Sequence, residues 1–128
     1  MKTSIICTAL LGLLLFGVGL YVSLLRRLRR VSTGHPNDPA DPLHRAVRAH
    51  ANTAEYAPFL AILFLWLGAH QPSDWVVAVI IVATAARFFL AIGLLWWPTM
   101  SRPNPARFLG ALLTYACGIA LAVAMFRS

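Results

Sequence analysis

The chain has 128 residues, of which 59% are hydrophobic and 12% are charged, and its mean hydropathy is +0.72. Soluble domains average about 25% charged residues, so the chain has too few polar side chains to cover a water-soluble globule of this size. Its apolar content also excludes a disordered chain, and its glycines and prolines show no fibrous period. The composition predicts an integral membrane protein, and the length allows at most four or five spans of about 20 residues each.

The formal net charge is +7, from 11 Lys+Arg and 4 Asp+Glu. Most of the basic residues lie in one short stretch, which indicates membrane topology, anionic headgroups or an anionic ligand before nucleic acid. No nucleic-acid-binding motif accompanies the charges, so we expect no nucleic-acid partner. Cys7 and Cys117 lie inside apolar segments without a CxxC spacing, which is typical of packing residues.

The first apolar run covers about residues 4–25. Lys2 precedes it as in a signal peptide, but the run is too long and lacks an Ala-x-Ala site. The basic segment Arg26–Arg30 follows as a stop-transfer signal, so the run is predicted to remain as a spanning helix. Residues 31–42 contain three prolines and are predicted to form a loop, with Asp41 and Pro42 starting the next helix.

Three further spans are predicted, over about residues 43–69, 74–97 and 106–126. The last of them carries a small residue at every fourth position, namely Gly110, Thr114, Gly118 and Ala122. Such a stripe allows another helix to approach closely. The predicted fold is all-α: a single domain over residues 1–128, forming an antiparallel, up-down bundle of four transmembrane helices.

Basic residues are unequally divided between the two sides of this bundle. The first and third loops with their adjoining helix ends carry eight, whereas the opposite side carries only Lys2 and Arg127. The positive-inside rule places the basic loops in the cytoplasm and both termini on the non-cytoplasmic side. The eleventh basic residue, Arg87, lies inside the third span.

The second span begins with a polar stretch, residues 44–58. One helix face carries residues three or four positions apart: Arg48, Asn52, Glu55, Tyr56 and Phe59. Bare charges in hydrocarbon cost several kcal/mol, so this face is predicted to meet protein or a wet cavity. The alternative is a structural polar network that only fixes the packing of the helix.

Arg87 is predicted to lie level with Glu55, because the two residues are equally distant from the turn that joins the second and third spans. Each lies roughly 21 Å from that side of the bundle, and a charge-assisted pair between them is expected. The remaining arginines near this level, Arg26, Arg27, Arg48 and Arg107, have no acid to pair with. This surplus predicts an anionic ligand or lipid headgroups. The four histidines show no zinc-ligand spacing, so no metal site is predicted.

The run from Arg48 to Pro58 resembles the signature helix of the MAPEG family, the membrane-associated proteins in eicosanoid and glutathione metabolism. The family pattern is Arg-x-(Gln/His)-x-Asn-x-x-Glu-(Tyr/Asn)-x-Pro. Chain length, the four spans and the arginine in the third span are also similar, most of all to small bacterial members. The resemblance implies a homotrimer in the bacterial inner membrane that binds glutathione between neighbouring subunits near the cytoplasmic face.

The resemblance also implies roles for individual residues. The motif residues that would hold glutathione are Arg48, His50, Asn52, Glu55 and Tyr56. An arginine at the end of the first span adds Arg26, with Arg27 as the neighbouring alternative, and the thiol-activating arginine of the family falls on Arg107. The span-three arginine matches Arg87. Relatives often carry tyrosine or histidine just after that arginine, where this chain has Leu90 and Leu94.

The implied function is glutathione S-transferase or peroxidase chemistry, with glutathione as co-substrate. A guanidinium in a low-dielectric site favours the thiolate, which would attack a hydrophobic small molecule that enters from the bilayer. The alternative is a non-catalytic scaffold or lipid-binding protein of the same fold. A small cation exporter is disfavoured, because the first span holds no ionisable residue.

Overall fold

A computed structural model describes all 128 residues, of which 80% are helical and none lies in a strand. The four helices are α1 (Lys2–Arg29), α2 (Pro42–Ala69), α3 (Asp74–Trp96) and α4 (Pro105–Arg127). The all-α prediction is therefore confirmed. The ends of α2, α3 and α4 lie within about one residue of the predicted spans, whereas α1 extends further at both ends and includes most of the basic segment.

Three of the helices, α1, α3 and α4, are long and apolar enough to cross a membrane. The fourth, α2, is as long as α1 at 28 residues, but the polar residues of its first half lower its hydropathy. It nevertheless runs antiparallel to α1 over its whole length. Leu43 and Ala46 cluster with Val22 at one end, and Gly68 lies against Ser4 at the other.

The helices pack in a fixed order around the core. α1 contacts α2 and α3, α4 contacts α3 and α2, and α1 does not contact α4. The main core cluster has 12 buried residues and draws on all four helices near the α2–α3 turn, as Leu11, Phe64, Ile80 and Leu121 illustrate. Two smaller clusters continue this core towards the opposite end of the bundle. This end carries the basic segment Arg26–Arg30 and the α1–α2 and α3–α4 loops, and is called the basic end below.

The basic end of the bundle is held by loop contacts. Met100 N donates a hydrogen bond of 3.0 Å to Pro39 O, which joins the α1–α2 and α3–α4 loops. Arg45 Nη1 donates to Trp97 O. Asn104 caps α4 by accepting from Arg107 N at 3.1 Å, and its amide donates to Gly93 O at 2.7 Å. These bonds fix the start of α4 against the end of α3.

Only part of the predicted small-residue stripe on α4 is a close helix contact. A Cβ added at Gly110 would lie 2.9 Å from both the backbone N and the Cα of Leu90, so α3 and α4 touch through their backbones here. A Cβ at Gly118 would meet only Leu60 Cδ2, at 3.9 Å. Ala122 is exposed. The close approach therefore occurs at the basic end of the stripe.

Gly110→Ala is expected to destabilise the protein by about 1–3 kcal/mol, because the new methyl group overlaps backbone atoms that cannot rotate away. Gly118→Ala is the matched control on the same helix face. It should be neutral or stabilising by up to about 1 kcal/mol, since alanine is the better helix former and has space there. Thermal unfolding of both variants in detergent micelles measures the difference. Equal stability of the two would contradict the backbone contact.

Asp41 caps α2 and forms the ion pair at the basic end. Its carboxylate accepts from Leu43 N at 2.8 Å and His44 N at 3.1 Å, and from Arg29 Nη1 at 2.6 Å. Burial alone would raise the pKa of Asp41, but the hydrogen bonds from Arg29 and from the two backbone N–H groups outweigh it and hold the pKa below its ordinary value of 3.8.

Asp41→Ala is expected to cost about 1 kcal/mol of stability near neutral pH, through loss of the helix cap. Asp41→Asn keeps a capping oxygen but loses the charge, so it should cost less. Because the folded-state pKa is lowered, the charge stabilises the fold above the ordinary pKa, and this contribution is lost as the pH falls through the lowered value. The stability gap between wild type and Asp41→Asn should close below about pH 4 in unfolding measurements. A pH-independent gap would contradict the ion pair.

Candidate functional site

The polar stretch of α2 separates into an inward and an outward face. The inward face follows small and apolar buried residues, including Ala49, Thr53 and Ala57. Arg48 and Glu55 are exposed on the opposite face, and Asn52 and Tyr56 are half-buried between the two faces. Because an α-helix turns about 100° per residue, Asn52 and Tyr56 share one flank of α2. This flank borders α3 and α4, since Asn52 contacts Arg87 and Tyr56 contacts Tyr115.

A buried arginine of α3 reaches this flank. Arg87 is only 1% exposed and is the largest fully buried side chain of the protein. Its Nη2 donates a hydrogen bond of 2.6 Å to Asn52 Oδ1, and its guanidinium carbon lies 5.2 Å from the ring centroid of Tyr56. A hydrogen bond from a charged donor and a cation–π contact thus join α2 and α3.

The predicted Glu55–Arg87 ion pair is wrong, although the two residues lie at similar depth. No ion pair links them, and the hydrogen bond goes to Asn52. Counting positions from the turn fixes depth along the helix but not direction around it. Asn52 is rotated about 60° from Glu55 towards the interior, which leaves Glu55 on the outward line of α2.

A second tyrosine extends the network to α4. The hydroxyls of Tyr56 and Tyr115 are 3.2 Å apart, within hydrogen-bond distance, and their ring centroids are 5.6 Å apart. The sequence analysis did not identify Tyr115. The available signal was that it is the only aromatic hydroxyl on α4, next to Thr114 of the small-residue stripe.

The two tyrosines border a groove between α2 and α4 with a volume of about 460 Å³. Glu55 is its charged residue, and the remainder of its wall is mainly apolar and includes Phe59, Leu63 and Gly118. The groove therefore combines an acid, two phenol groups and an apolar wall on the outer flank of one chain. This is the kind of surface that a polar molecule with an apolar partner can occupy.

The other predicted site residues are distributed around the basic end. Arg48 is exposed and makes no hydrogen bond, and Arg107 is exposed with Nη1 3.5 Å from Met100 O. Arg26 donates from Nε and Nη2 to Gly34 O at 3.4 and 3.3 Å. His50 lies on the far side of α2, against Gly19 of α1. One chain thus brings Asn52 and Tyr56 together with Arg87, but it does not join them to Arg26, His50 or Arg107.

The two leucines of α3 that differ from the residues expected from the family resemblance are core residues. Leu90 and Leu94 are 3% and 4% exposed and cluster with Val18 and Ala49. They therefore pack between α1, α2 and α3 rather than in the α2–α4 groove.

Almost all the basic side chains of the protein lack an acidic partner. The only ion pair of the protein is Arg29–Asp41, so ten of the 11 Lys+Arg have no acidic partner within 4.0 Å. Nε and Nη1 of Arg87 are buried and make no hydrogen bond within the chain. No cluster of three or more His, Cys, Asp or Glu residues is present.

A family model described as MAPEG family matches residues 4–127, which is nearly the whole chain. The chain belongs to the MAPEG family. No curated protein and no solved structure matches it. The sequence resemblance is thereby confirmed, and membership supports a membrane protein of glutathione and eicosanoid metabolism. In this MAPEG chain the signature helix is α2, and the network of Asn52, Tyr56 and Arg87 lies at its middle.

Replacing Asn52 distinguishes the Arg87–Asn52 hydrogen bond from the Glu55–Arg87 ion pair that the sequence predicted. Asn52→Ala removes the only hydrogen bond of the buried Arg87 guanidinium, so a loss of about 1–3 kcal/mol is expected. Glu55→Gln is the control, because Glu55 is exposed and forms no ion pair, and it should change stability by less than about 0.5 kcal/mol. Unfolding in detergent micelles compares the two variants. A larger loss for Glu55→Gln would favour a Glu55–Arg87 pair instead.

Proposed function

We propose that this MAPEG protein binds glutathione as a co-substrate and directs its thiolate to a lipophilic electrophile, in a glutathione S-transferase or peroxidase-type reaction. The observation that carries the proposal is the unpaired positive charge at the basic end of the bundle, one to two helical turns from the Asn52–Tyr56 pair and from the acidic residue of the α2–α4 groove, Glu55. A guanidinium that lacks an acidic partner is a ready ligand for a carboxylate, which it can bind through two parallel hydrogen bonds.

The charges of glutathione complement this surface. The tripeptide carries two carboxylates and one ammonium group. Arg48, which has no partner within the chain, is proposed to bind a carboxylate. Glu55, the only acid of the outward face, is proposed to take the ammonium. Asn52 and Tyr56 supply neutral hydrogen-bonding groups between these two charges, and Arg87 holds both in place.

The outward direction of these side chains supports a site shared between copies of the chain. In a lone protomer, Arg48 and Glu55 of α2 would face lipid, which is costly for a charged group. A second copy that covers this flank would remove the cost and bring Arg26, His50 or Arg107 of its own towards the groove. The proposed assembly is therefore a homotrimer with glutathione between subunits and with the basic loops on the cytoplasmic side.

Arg107 is proposed as the catalytic residue. It lies in the first turn of α4, whose N-terminus carries a partial positive charge. Its guanidinium makes only one long contact, with Met100 O, so it is available to the glutathione sulfur. A free thiol has a pKa of about 8.5, and a nearby guanidinium lowers it. In the transferase reaction the thiolate forms a bond to the electrophilic carbon, and the leaving group departs with its electron pair.

The second candidate is a non-catalytic scaffold or lipid-binding protein of the same fold. The observation that favours it is the packing of Leu90 and Leu94, since the positions that carry polar rings in many relatives are filled by core leucines. On this alternative, the arginines at the basic end would contact headgroups only, and no glutathione would bind.

Titration of the purified protein with glutathione distinguishes the two candidates. We expect a near-ultraviolet thiolate band and turnover of a hydrophobic electrophile. Arg48→Ala should weaken glutathione binding, whereas Arg107→Ala should retain binding but lose the thiolate band and about 10²–10³-fold of turnover, as loss of one charge-stabilising donor does elsewhere. Arg102→Ala is the matched control, because Arg102 is exposed in the loop just before α4 and makes no hydrogen bond. Absence of binding at millimolar glutathione would favour the scaffold.

A further inference from the structure

Two histidines meet where the α1–α2 loop joins α2. The Nδ1 atoms of His35 and His44 are 2.9 Å apart, and the two rings are nearly perpendicular. The carbonyl oxygen of Pro36 is 3.0 Å from each of these nitrogens. The three atoms therefore form a nearly equilateral triangle. His35 is exposed and His44 half-buried, so the triangle is open to water.

Protons alone cannot satisfy all three edges of this triangle. If both Nδ1 atoms carry hydrogen, both can donate to Pro36 O, but the two N–H groups then oppose each other. If only one carries hydrogen, the lone pair of the other faces the carbonyl oxygen. If neither does, three lone pairs converge. One edge is repulsive in every case, whereas a cation in contact with all three lone pairs would satisfy them together.

We propose that His35 Nδ1, His44 Nδ1 and Pro36 O form a binding site for a divalent transition-metal ion. Metal–imidazole bonds are about 2.1 Å long, so two ligands at 90° lie about 3.0 Å apart and two at the tetrahedral angle about 3.4 Å apart. The observed edges of 2.9–3.0 Å match one face of an octahedral or tetragonal site. The remaining coordination positions would be filled by water.

The ligand set and its surroundings select the class of metal. Imidazole nitrogen suits Cu²⁺, Ni²⁺ and Zn²⁺, and the 90° arrangement favours Cu²⁺ and Ni²⁺ over tetrahedral Zn²⁺. The charged groups of this segment are Arg26 on Gly34 O, Arg29 paired with Asp41, which also caps His44 N, and Asp38, which accepts from Ala40 N. None of the three ligand atoms belongs to a carboxylate, which disfavours Mg²⁺ and Ca²⁺ because these ions bind through oxygen ligands and carboxylate charge.

A bound metal would fasten the loop to α2. His35 and Pro36 belong to the loop, and His44 lies in the first turn of the helix. The preceding carbonyl, Gly34 O, accepts both hydrogen bonds from Arg26. The site therefore constrains the segment that holds Arg26, and it does so without any dependence on glutathione.

The test uses the full-length protein, purified without a histidine tag, and Cu²⁺ or Ni²⁺ alone as the probe. Isothermal titration should show one ion bound per chain, and Cu²⁺ electron paramagnetic resonance should show coupling to imidazole nitrogen. His35→Ala and His44→Ala should each weaken binding at least about tenfold, a loss that even outer partners of metal ligands can cause. His70→Ala is the matched control, because His70 Nδ1 donates to Trp66 O on the opposite side of the bundle.

Several results would overturn the site. These are absence of binding, unchanged binding in the His35→Ala/His44→Ala double variant, equal loss in His70→Ala, or Mg²⁺ binding as tight as that of Cu²⁺. Circular dichroism and size-exclusion chromatography verify that each variant is folded. Because His35 is a loop residue, His35→Ala tests the site even where His44→Ala disturbs the first turn of α2.

Discussion

The hydrogen bond from Arg87 to Asn52 is the interaction on which the arrangement of α2 and α3 depends. A guanidinium that is 1% exposed is costly in a membrane bundle unless it is bonded, so α2 must turn Asn52 and the face of Tyr56 towards α3. Once that rotation is fixed, Glu55 has to lie on the outward line, and Tyr56 reaches the hydroxyl of Tyr115 on α4. The outward polar face of α2 thus follows from the one hydrogen bond that the buried guanidinium makes, while its Nε and Nη1 have no partner within the chain.

One chain brings together only some of the predicted site residues, and Arg48 and Glu55 on the outward face have no ion-pair partner. The arginines at the basic end have almost no acidic partners, and the groove between α2 and α4 opens on the outer flank of the protomer. Stability of a single bundle would not require charged residues on this flank, since lipid contact favours apolar side chains. The unpaired arginines and the outward polar face of α2 are the features on which the proposed glutathione site between subunits rests.

The fold was predictable because hydropathy and helix-boundary signals agree. Proline and acidic residues mark the start of α2, and long apolar runs define α1, α3 and α4. Depth was predictable from residue counting, which placed Arg87 level with the polar motif. The partner of Arg87 was not, because rotation of α2 about its axis depends on packing against two helices at once. Nor was the meeting of His35 with His44, which is set by a proline-rich loop with no regular period.

The contact between α3 and α4 lies beside Leu90, one of the two core leucines of α3. Leu90 lies against Gly110, and a Cβ added at Gly110 would be 2.9 Å from the backbone N and Cα of Leu90. About one turn further along α3, Gly93 O accepts a hydrogen bond from the Asn104 amide. The close approach requires a glycine at position 110, and the Leu90 side chain fills the core with Val18 and Ala49. Two of the three tyrosine hydroxyls lie on the α2–α4 flank, at Tyr56 and Tyr115, whereas Tyr21 belongs to α1. Gly110 thus permits close packing of α3 on α4 at the basic end, while the hydroxyls of Tyr56 and Tyr115 lie at the groove between α2 and α4.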